Sequence, residues 1–519
     1  MKYMPKLSSV LALTPVLLVC TNIAIAQRAS PTTCRNLSAL ELSDTRITLA
    51  EFVPTGGFVP PADAEQPGGQ PAPTYDQLPA FCRVAATISP VPDSEIKFEL
   101  WMPAENWNGK FVGTGNGGLS GEIWHPSMSE PVARGYAVAN TDTGHEGGGA
   151  DASFAIGHPE KLVDFAWRAV HEMTVKSKAI VAEHYGTQAR LAYWTGCSTG
   201  GRQGLKEAQR FPGDYDAVFA AAPANNWIPT LTISLVIQQT LSDTAAGFPP
   251  DKLSLLSEGA IAACDAQDGI VDRVALEPQT CGFDPAALEC APGDTVECLL
   301  PSEVEAARNI YRGVVNPRTG KQIFPGPFPG SENQWAAFTP GRFPIGLNYW
   351  RDIIVGDPDW DPSAIDLSTD VERAIARDTA EVAAMDPDLS KFVARRGKLL
   401  LWHGWTDGMI SPQNSINYYN EVLVALGASQ ARDSVRLFLA PGVGHCGGGQ
   451  GPSKIDTLSV LEAWVENGVT PKRIIASKSL ENGDTRTRPL CPYPLVAHYD
   501  GTGSTDDAEN FECGPATLR

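Results

Sequence analysis

Gly196-Cys197-Ser198-Thr199-Gly200 fits the pattern G-x-S-x-G. A serine in that setting becomes a nucleophile when a base takes its proton and nearby N–H groups receive the charge developing on an attacked carbonyl. The base should be an imidazole whose tautomer is fixed by a carboxylate. Both partners follow in the order Ser, Asp, His. The apolar run Leu399 to Trp402 ends in His403-Gly404-Trp405-Thr406-Asp407-Gly408, and Arg436 to Leu439 ends in Pro441-Gly442-Val443-Gly444-His445. Each candidate therefore sits in a loop just beyond the carboxyl end of a strand. His125, His145, His158, His171, His184, His403 and His498 compete with His445 for the role of base. His171 and His184 fall within a helical pattern, and His403 precedes the expected acid, where a structural hydrogen bond is its simpler task.

Two further features converge on the same point. Gly113-Thr114-Gly115-Asn116-Gly117-Gly118 follows the strand-like run Lys110 to Val112, so an N–H of Gly117 or Gly118 can join that of Thr199 as an oxyanion donor. The rival reading of this loop, nucleotide binding, lacks the G-K-[ST] signature. Cys197 immediately precedes the candidate nucleophile and Cys446 immediately follows the candidate base. If Ser198 and His445 come within hydrogen-bond reach, these two cysteines come close enough to bridge.

The elements that must hold these loops read as a parallel α/β sheet. Short β-rich runs occur at Ile96 to Met102, Lys110 to Val112 and Tyr136 to Asn140. Val163, Ala166, Trp167, Val170 and Met173 then recur at helical spacing up to Gly186. Leu191 to Trp194 leads through the serine turn into an amphipathic stretch ending near Arg210, and Ala217 to Ala221 reads as a buried strand. Lys398 to Trp402 and Val435 to Leu439 resume the style, followed by a helix from about Ser453 to Val465. This alternation, with the Ser, Asp, His order, predicts an α/β-hydrolase core. The middle, from about Pro223 to Lys391, has few alternating strands, clustered cysteines and many Pro, Gly and aromatic residues. It is read as a lid domain (223–391) inserted between two core segments (27–222 and 392–519), because structureless stretches of that length are rare in compact folds.

Lys2 and Lys6, an apolar run from Leu7 to Val19 and Ala24-Ile25-Ala26 read as a cleavable export signal, residues 1–26, with the mature chain starting at Gln27. A lipoprotein anchor at Cys20 would want a small residue before it, where Val19 stands. Removal of the leader leaves ten of the eleven cysteines and takes the net charge from -20 to -22. An even cysteine count behind an export signal implies disulfides in a periplasmic or extracellular setting. The acidity argues against nucleic acid or an anionic membrane as partner. The apolar run is shorter than the ~20 residues a membrane span needs.

With Cys-Ser, Asp and His-Cys in place, the chain resembles the tannase and feruloyl esterase family over essentially the whole mature sequence. The resemblance implies an α/β-hydrolase core, a large lid, and a disulfide Cys197–Cys446 beside the triad. It also implies the pairs Cys34–Cys82, Cys264–Cys281, Cys290–Cys298 and Cys491–Cys513, which spacing alone does not choose. Substrates in the family include feruloyl and other hydroxycinnamoyl esters, galloyl esters and monoesters of terephthalate. A feruloyl-type aryl ester is the expected substrate, with tannins and mono(2-hydroxyethyl) terephthalate as alternatives. No organic cofactor is expected. A catalytically silent binding protein on the same fold is disfavoured because serine, acid, base and both glycine loops are intact. A peptidase would need a site for a charged peptide terminus that the sequence does not display.

Within the lid, Trp335, Phe338, Phe343, Tyr349 and Trp350 offer aromatic walls for a flat acyl group or, equally, a small core of the lid itself. Arg342 could meet a substrate carboxylate or lie on the surface. The segment Cys264 to Val274 places Asp265, Asp268 and Asp272 around Gly269, a compact set of hard oxygen donors that differs from an EF-hand in spacing. Read alone it is as well a solvated turn. The resemblance implies a structural calcium ion held by those three side chains and by the main-chain oxygens of Ile270 and Val274.

Overall fold

The computed structural model describes Met1 and residues 31–61, 75–242 and 248–516. The expected leader, including Cys20, lies outside the described residues. Nine strands form the central sheet: β1 (Thr45–Val53), β2 (Phe81–Ile88), β3 (Ile96–Pro103), β4 (Lys110–Thr114), β5 (Ala137–Thr141), β6 (Leu191–Cys197), β7 (Ala217–Ala221), β8 (Lys398–Gly404) and β9 (Val435–Ala440). Their spatial order is β1-β2-β3-β5-β4-β6-β7-β8-β9. Pairing is antiparallel from β1 to β5 and parallel from β5 through β9. The parallel strands read as unbroken apolar runs because both faces of that half are covered.

Alternate residues of β8 show how. Leu399 and Leu401 join a core layer with helices α2 (Ala169–Tyr185), α3 (Thr199–Arg210) and α6 (Pro412–Leu426), while Leu400 and Trp402 join another with α1 (Pro126–Ala133) and α7 (Thr457–Asn467). The antiparallel pair β1 and β2 was not expected from sequence. In the outer strand β1 only Arg46 and Thr48 are exposed, and a register shift between Ile47 and Leu49 interrupts the alternation of its apolar residues.

Between α3 and β8 the chain builds most of a second core from α4 (Trp227–Ser242), α5 (Pro250–Cys264) and later segments, with Trp335, Phe338, Tyr349, Trp350 and Val382 inside, and Leu119, Ala152, Phe154, Phe165 and Ala166 of the preceding chain share it. The return to the sheet comes earlier than the expected end at Lys391: Ala384 and Leu389 already belong to the sheet core. Three side chains on one face of α3 hold the returning segment. Arg202 donates to the carbonyl of Val382 at 3.1 Å, Lys206 to that of Ala383, and Gln209 to that of Ala384 at 3.0 Å. Arg202 is fully buried and also takes the carbonyls of Phe165 and Ala166, which belong to a π-helical turn at Asp164–Arg168 preceding α2. Such a turn displaces the regular hydrogen-bond ladder and leaves carbonyls for other donors.

Candidate active site

The β6–α3 turn puts Ser198 at φ 61°, ψ -121°, a conformation that costs a non-glycine residue about 1–3 kcal/mol and persists only where the surroundings impose it. Here they do: Ser198 N–H donates to Ala221 at 2.9 Å, and its carbonyl accepts from Arg202 and Ala224 at 3.0 and 3.1 Å. A Cβ on Gly196 would stand 2.4 Å from the Gly200 carbonyl oxygen, so glycine is what lets the turn close on itself.

Asp407, at the end of β8, is fully buried. Its Oδ2 faces Nδ1 of His445 at 2.7 Å, and its Oδ1 accepts from the N–H groups of Met409 and Ile410 at 2.8 and 2.9 Å. Burial opposes ionisation of this carboxyl, but His445 and His403 beside it outweigh that cost and hold it well below the usual carboxylate range. With Nδ1 engaged, Nε2 of His445 remains for the cavity that His445 lines together with Ser198. No hydrogen bond joins Ser198 Oγ to His445 among the described residues, and such bonds often tighten only when substrate is bound. The disulfide Cys197–Cys446, with Cα atoms 5.9 Å apart, ties the two loops directly beside these side chains. The other four pairs are Cys34–Cys82, Cys264–Cys281, Cys290–Cys298 and Cys491–Cys513.

Gln334 of the lid joins this assembly without any sequence signal. Its Oε1 accepts from His445 N–H at 3.0 Å and Gly408 N–H at 3.3 Å, and its Nε2 donates to the Thr406 carbonyl at 3.1 Å. One amide thus bridges the Asp407 loop and the His445 loop.

The glycine loop after β4 is locked to the serine turn. Thr199 Oγ1 donates to Gly118 O at 2.7 Å, Gly200 N–H to Asn116 O at 2.8 Å, and Asn116 N–H to Gln203 Oε1 at 3.0 Å. The N–H groups of Gly117 and Gly118 donate to no acceptor among the described residues, and both residues line the cavity with Thr199. Gly118 has φ +55°, and a Cβ there would meet the Gly149 carbonyl oxygen at 2.2 Å; at Gly117 a Cβ would meet nothing. The 147–149 glycines are a second unforeseen element, since Gly149 accepts from Leu119 N–H and Gly147 from Gly121 N–H, bracing the loop from behind.

The cavity over Ser198 measures about 880 Å³ and has walls from both core and lid. Phe338, Arg342 and Phe343 line it, as do Trp227 and Leu231 of α4 and Met409 beside Asp407. Trp335 does not: it is fully buried in the lid core, edge-on to Tyr311, with its indole N–H on Ser331. Tyr349 packs edge-on against Trp227 and Trp350 stacks on Trp360, both within the lid core.

A sequence model described as tannase and feruloyl esterase matches residues 82–514, most of the chain. The chain belongs to the tannase and feruloyl esterase family. It is thereby a carboxylic ester hydrolase of that family. An uncharacterized esterase of Xanthomonas campestris pv. campestris is 36% identical, over 92% of this chain and 91% of its own. A probable feruloyl esterase B-2 of Aspergillus terreus is 30% identical, over 96% and 98%. Among solved structures, feruloyl esterase B from Aspergillus oryzae superposes with a TM-score of 0.86 at 28% identity, over 93% of this chain and 100% of its own. Tannin acyl hydrolase from Aspergillus niger shares the fold, with a TM-score of 0.77 at 24% identity over 94% and 95%.

The acidic loop of the lid follows α5 as a 3-10 turn, Asp265–Asp268, capped by Gly269 at φ 88° and tied by Cys264–Cys281. Asp265 Oδ1 accepts from the N–H groups of Asp272 and Val274, both at 3.1 Å, and Asp268 Oδ1 from Ile270 at 2.9 Å. Burial, together with the Asp272 and Asp265 charges, pushes the Asp268 carboxyl up to about 6. The main-chain oxygens of Ile270 and Val274, both buried residues, accept no hydrogen bond among the described residues. Crowded carboxylates beside unclaimed buried carbonyls fit a hard cation such as calcium. Arg488 already pairs with Asp272 at 2.6 Å, supplying part of the compensating charge. His171, Glu207 and Asp214 also gather ligand atoms within 4.8 Å of one another. However, His171 Nδ1 and Asp214 Oδ2 are hydrogen-bonded at 2.6 Å, closer than two donors at about 2.0–2.2 Å from one zinc ion in tetrahedral geometry would stand.

Proposed function

We propose that the chain is an exported serine esterase in which Ser198 is nucleophile, His445 general base and Asp407 the orienting acid, acting on aryl esters of the feruloyl type. Ser198 Oγ attacks the ester carbonyl carbon while His445 Nε2 takes its proton. The oxyanion is received by the N–H groups of Thr199 and of Gly117 or Gly118. The carbon–oxygen bond to the alcohol then breaks, His445 returns the proton to the leaving oxygen, and water cleaves the acyl-enzyme by the same route. The observation that carries this reading is the 2.7 Å contact of His445 with the buried Asp407 at the rim of a cavity shared with a strained serine turn.

The feruloyl preference is supported by the likeness to feruloyl esterase B and by the apolar walls Trp227, Phe338 and Phe343, which suit a flat acyl group. Tannins are the alternative within the same chemistry. A monoester of terephthalate is favoured by one further observation: Arg342 lines the cavity, and its guanidinium has no ion pair or hydrogen bond among the described residues. The reading takes a small-molecule ester as partner, with neither nucleic acid nor membrane; no helix among the described residues is long and apolar enough to cross a bilayer. Export rests on the leader read in the sequence and on the five disulfides. A structural calcium ion would be held by Asp265, Asp268 and Asp272 with the carbonyls of Ile270 and Val274, away from Ser198, where it would stabilise the lid. Hydrolysis of methyl ferulate, methyl gallate and mono(2-hydroxyethyl) terephthalate by the wild type and by Ser198→Ala tests the reading. The serine variant should lose turnover on all three by several orders of magnitude, and methyl ferulate should be the best wild-type substrate. Equal rates for the two proteins would remove the mechanism.

A further inference from the structure

Asp407 serves two imidazoles. Besides His445, its Oδ2 faces Nε2 of His403 at 3.1 Å, and the same Nε2 stands 2.9 Å from the carbonyl oxygen of Ile410. His403 is fully buried, and its Nδ1 lies 2.8 Å from Ser415 Oγ. A ring nitrogen between a carboxylate and a carbonyl can satisfy both only as a donor, so Nε2 carries the proton and Nδ1 accepts the Ser415 hydroxyl hydrogen. Sealed from the cavity, this imidazole cannot reach a substrate.

We propose that His403 is a positioning residue that shares the Asp407 carboxylate with His445, fixing the carboxylate's orientation and limiting how strongly it draws the proton on His445; this rests on the triad reading above. Two arguments support it. With Met409 and Ile410 N–H on Oδ1 and two imidazoles on Oδ2, the carboxylate has four donors and cannot turn about its Cβ–Cγ bond without breaking at least one. The charge on Oδ2 is also divided. A second donor to an oxygen reduces what that oxygen offers the first, so the protonated form of His445 is less favoured than it would be with Asp407 to itself. A base that must return its proton to a leaving alkoxide benefits from that restraint. Among the described residues no titratable side chain other than His403 and His445 contacts the Asp407 carboxylate, and Gln334, which holds the His445 N–H, is neutral.

The test compares pH profiles of kcat/KM on an aryl ester for wild type, His403→Phe, His403→Asn and His403→Gln. Phe removes the donor, and Asn reaches only as far as Nδ1. Both should move the acid limb up by roughly half to one pH unit and lower kcat by about 10-fold or more, with KM little changed. Gln places an amide N–H where Nε2 stands and should bring the limb back to the wild-type position. Folded Phe and Asn variants with a wild-type profile, or a Gln variant indistinguishable from Phe, would overturn the proposal. A measurement on the intact wild type is independent of how the variants fold. Nitrogen-15 spectra of labelled histidines at pH 8 should show His403 as the Nε2–H tautomer, and the Nδ1–H tautomer would refute the sharing. If Ser198→Ala keeps full turnover, the esterase reading fails while the tautomer result still stands or falls alone.

Discussion

Removing the Cys197–Cys446 bridge by the double change Cys197→Ala, Cys446→Ala separates stability from catalysis at one point. The bridge closes a loop of 249 residues, and the entropy it removes from the unfolded chain corresponds to about 5 kcal/mol by the loop-length relation, an upper figure because measured values cluster at 2–5 kcal/mol. For a chain of 519 residues the unfolding entropy at the midpoint is on the order of 1 kcal/mol per degree, so Tm should fall by about 2–5 °C. The catalytic effect follows from geometry. Ser198 and His445 stand on separate strands' ends, and Gln334 holds the His445 loop only to the acid loop, so the bridge is their direct tie. Loosening it should reduce kcat by about 10- to 100-fold with a smaller change in KM, since Cys197 and Cys446 themselves line the cavity but its apolar walls from α4 and Phe343 are untouched. The assay is a thermal melt together with steady-state hydrolysis of an aryl ester well below the lower Tm. A double variant that melts and turns over like the wild type would refute the reasoning; a fall in Tm with kcat intact would refute its catalytic half.

Gln334→Ala strands the N–H groups of His445 and Gly408, and an unpaired polar group in a buried site costs about 1–3 kcal/mol. Its kcat should fall by at least about 10-fold with KM nearly unchanged, measured by initial rates. Gly118→Ala, forced against the Gly149 oxygen at positive φ, should lose about 10²-fold or more in kcat, whereas Gly117→Ala, with room for its methyl, should leave Tm unaltered. Calcium should raise Tm by a few degrees, and the rise should grow between pH 5 and 7. The Asp268 carboxyl, lifted to about 6, stays protonated in the fold above its unfolded value; without the ion it therefore subtracts stability as pH rises toward 6, and the cation removes that loss as it displaces the proton. A melt indifferent to calcium and chelator at pH 7 would count against the ion.

The candidate site was legible because it sits where strands end. Ser198, Asp407 and His445 each close a buried apolar run, and the cysteines beside two of them carried long-range information that few residues do. What the sequence concealed lies in contacts made across the fold. Gln334 is an ordinary lid residue until Thr406, Gly408 and His445 surround it, and His403 differs from any buried histidine only in sharing Asp407. Trp335 illustrates the limit of composition: an aromatic cluster in a lid signals burial, but not whether the ring faces substrate or its own neighbours, and here Phe338 and Phe343 line the cavity while Trp335 fills the lid core. β1 carries Ile47, Leu49, Ala50, Phe52 and Val53, but the register shift between Ile47 and Leu49 breaks their alternation, so no clean period of two marks it as a strand.

The proposed mechanism requires Ser198 to form a bond to the acyl group. Mass spectrometry of the chain after brief mixing with an aryl ester, or after reaction with an alkyl phosphonate that mimics the tetrahedral species, reads this directly. One acyl or phosphonyl mass should be added, located on the peptide containing Ser198 and absent from Ser198→Ala. An unmodified Ser198 in protein that the phosphonate has inactivated, or the same adduct in Ser198→Ala, would contradict it.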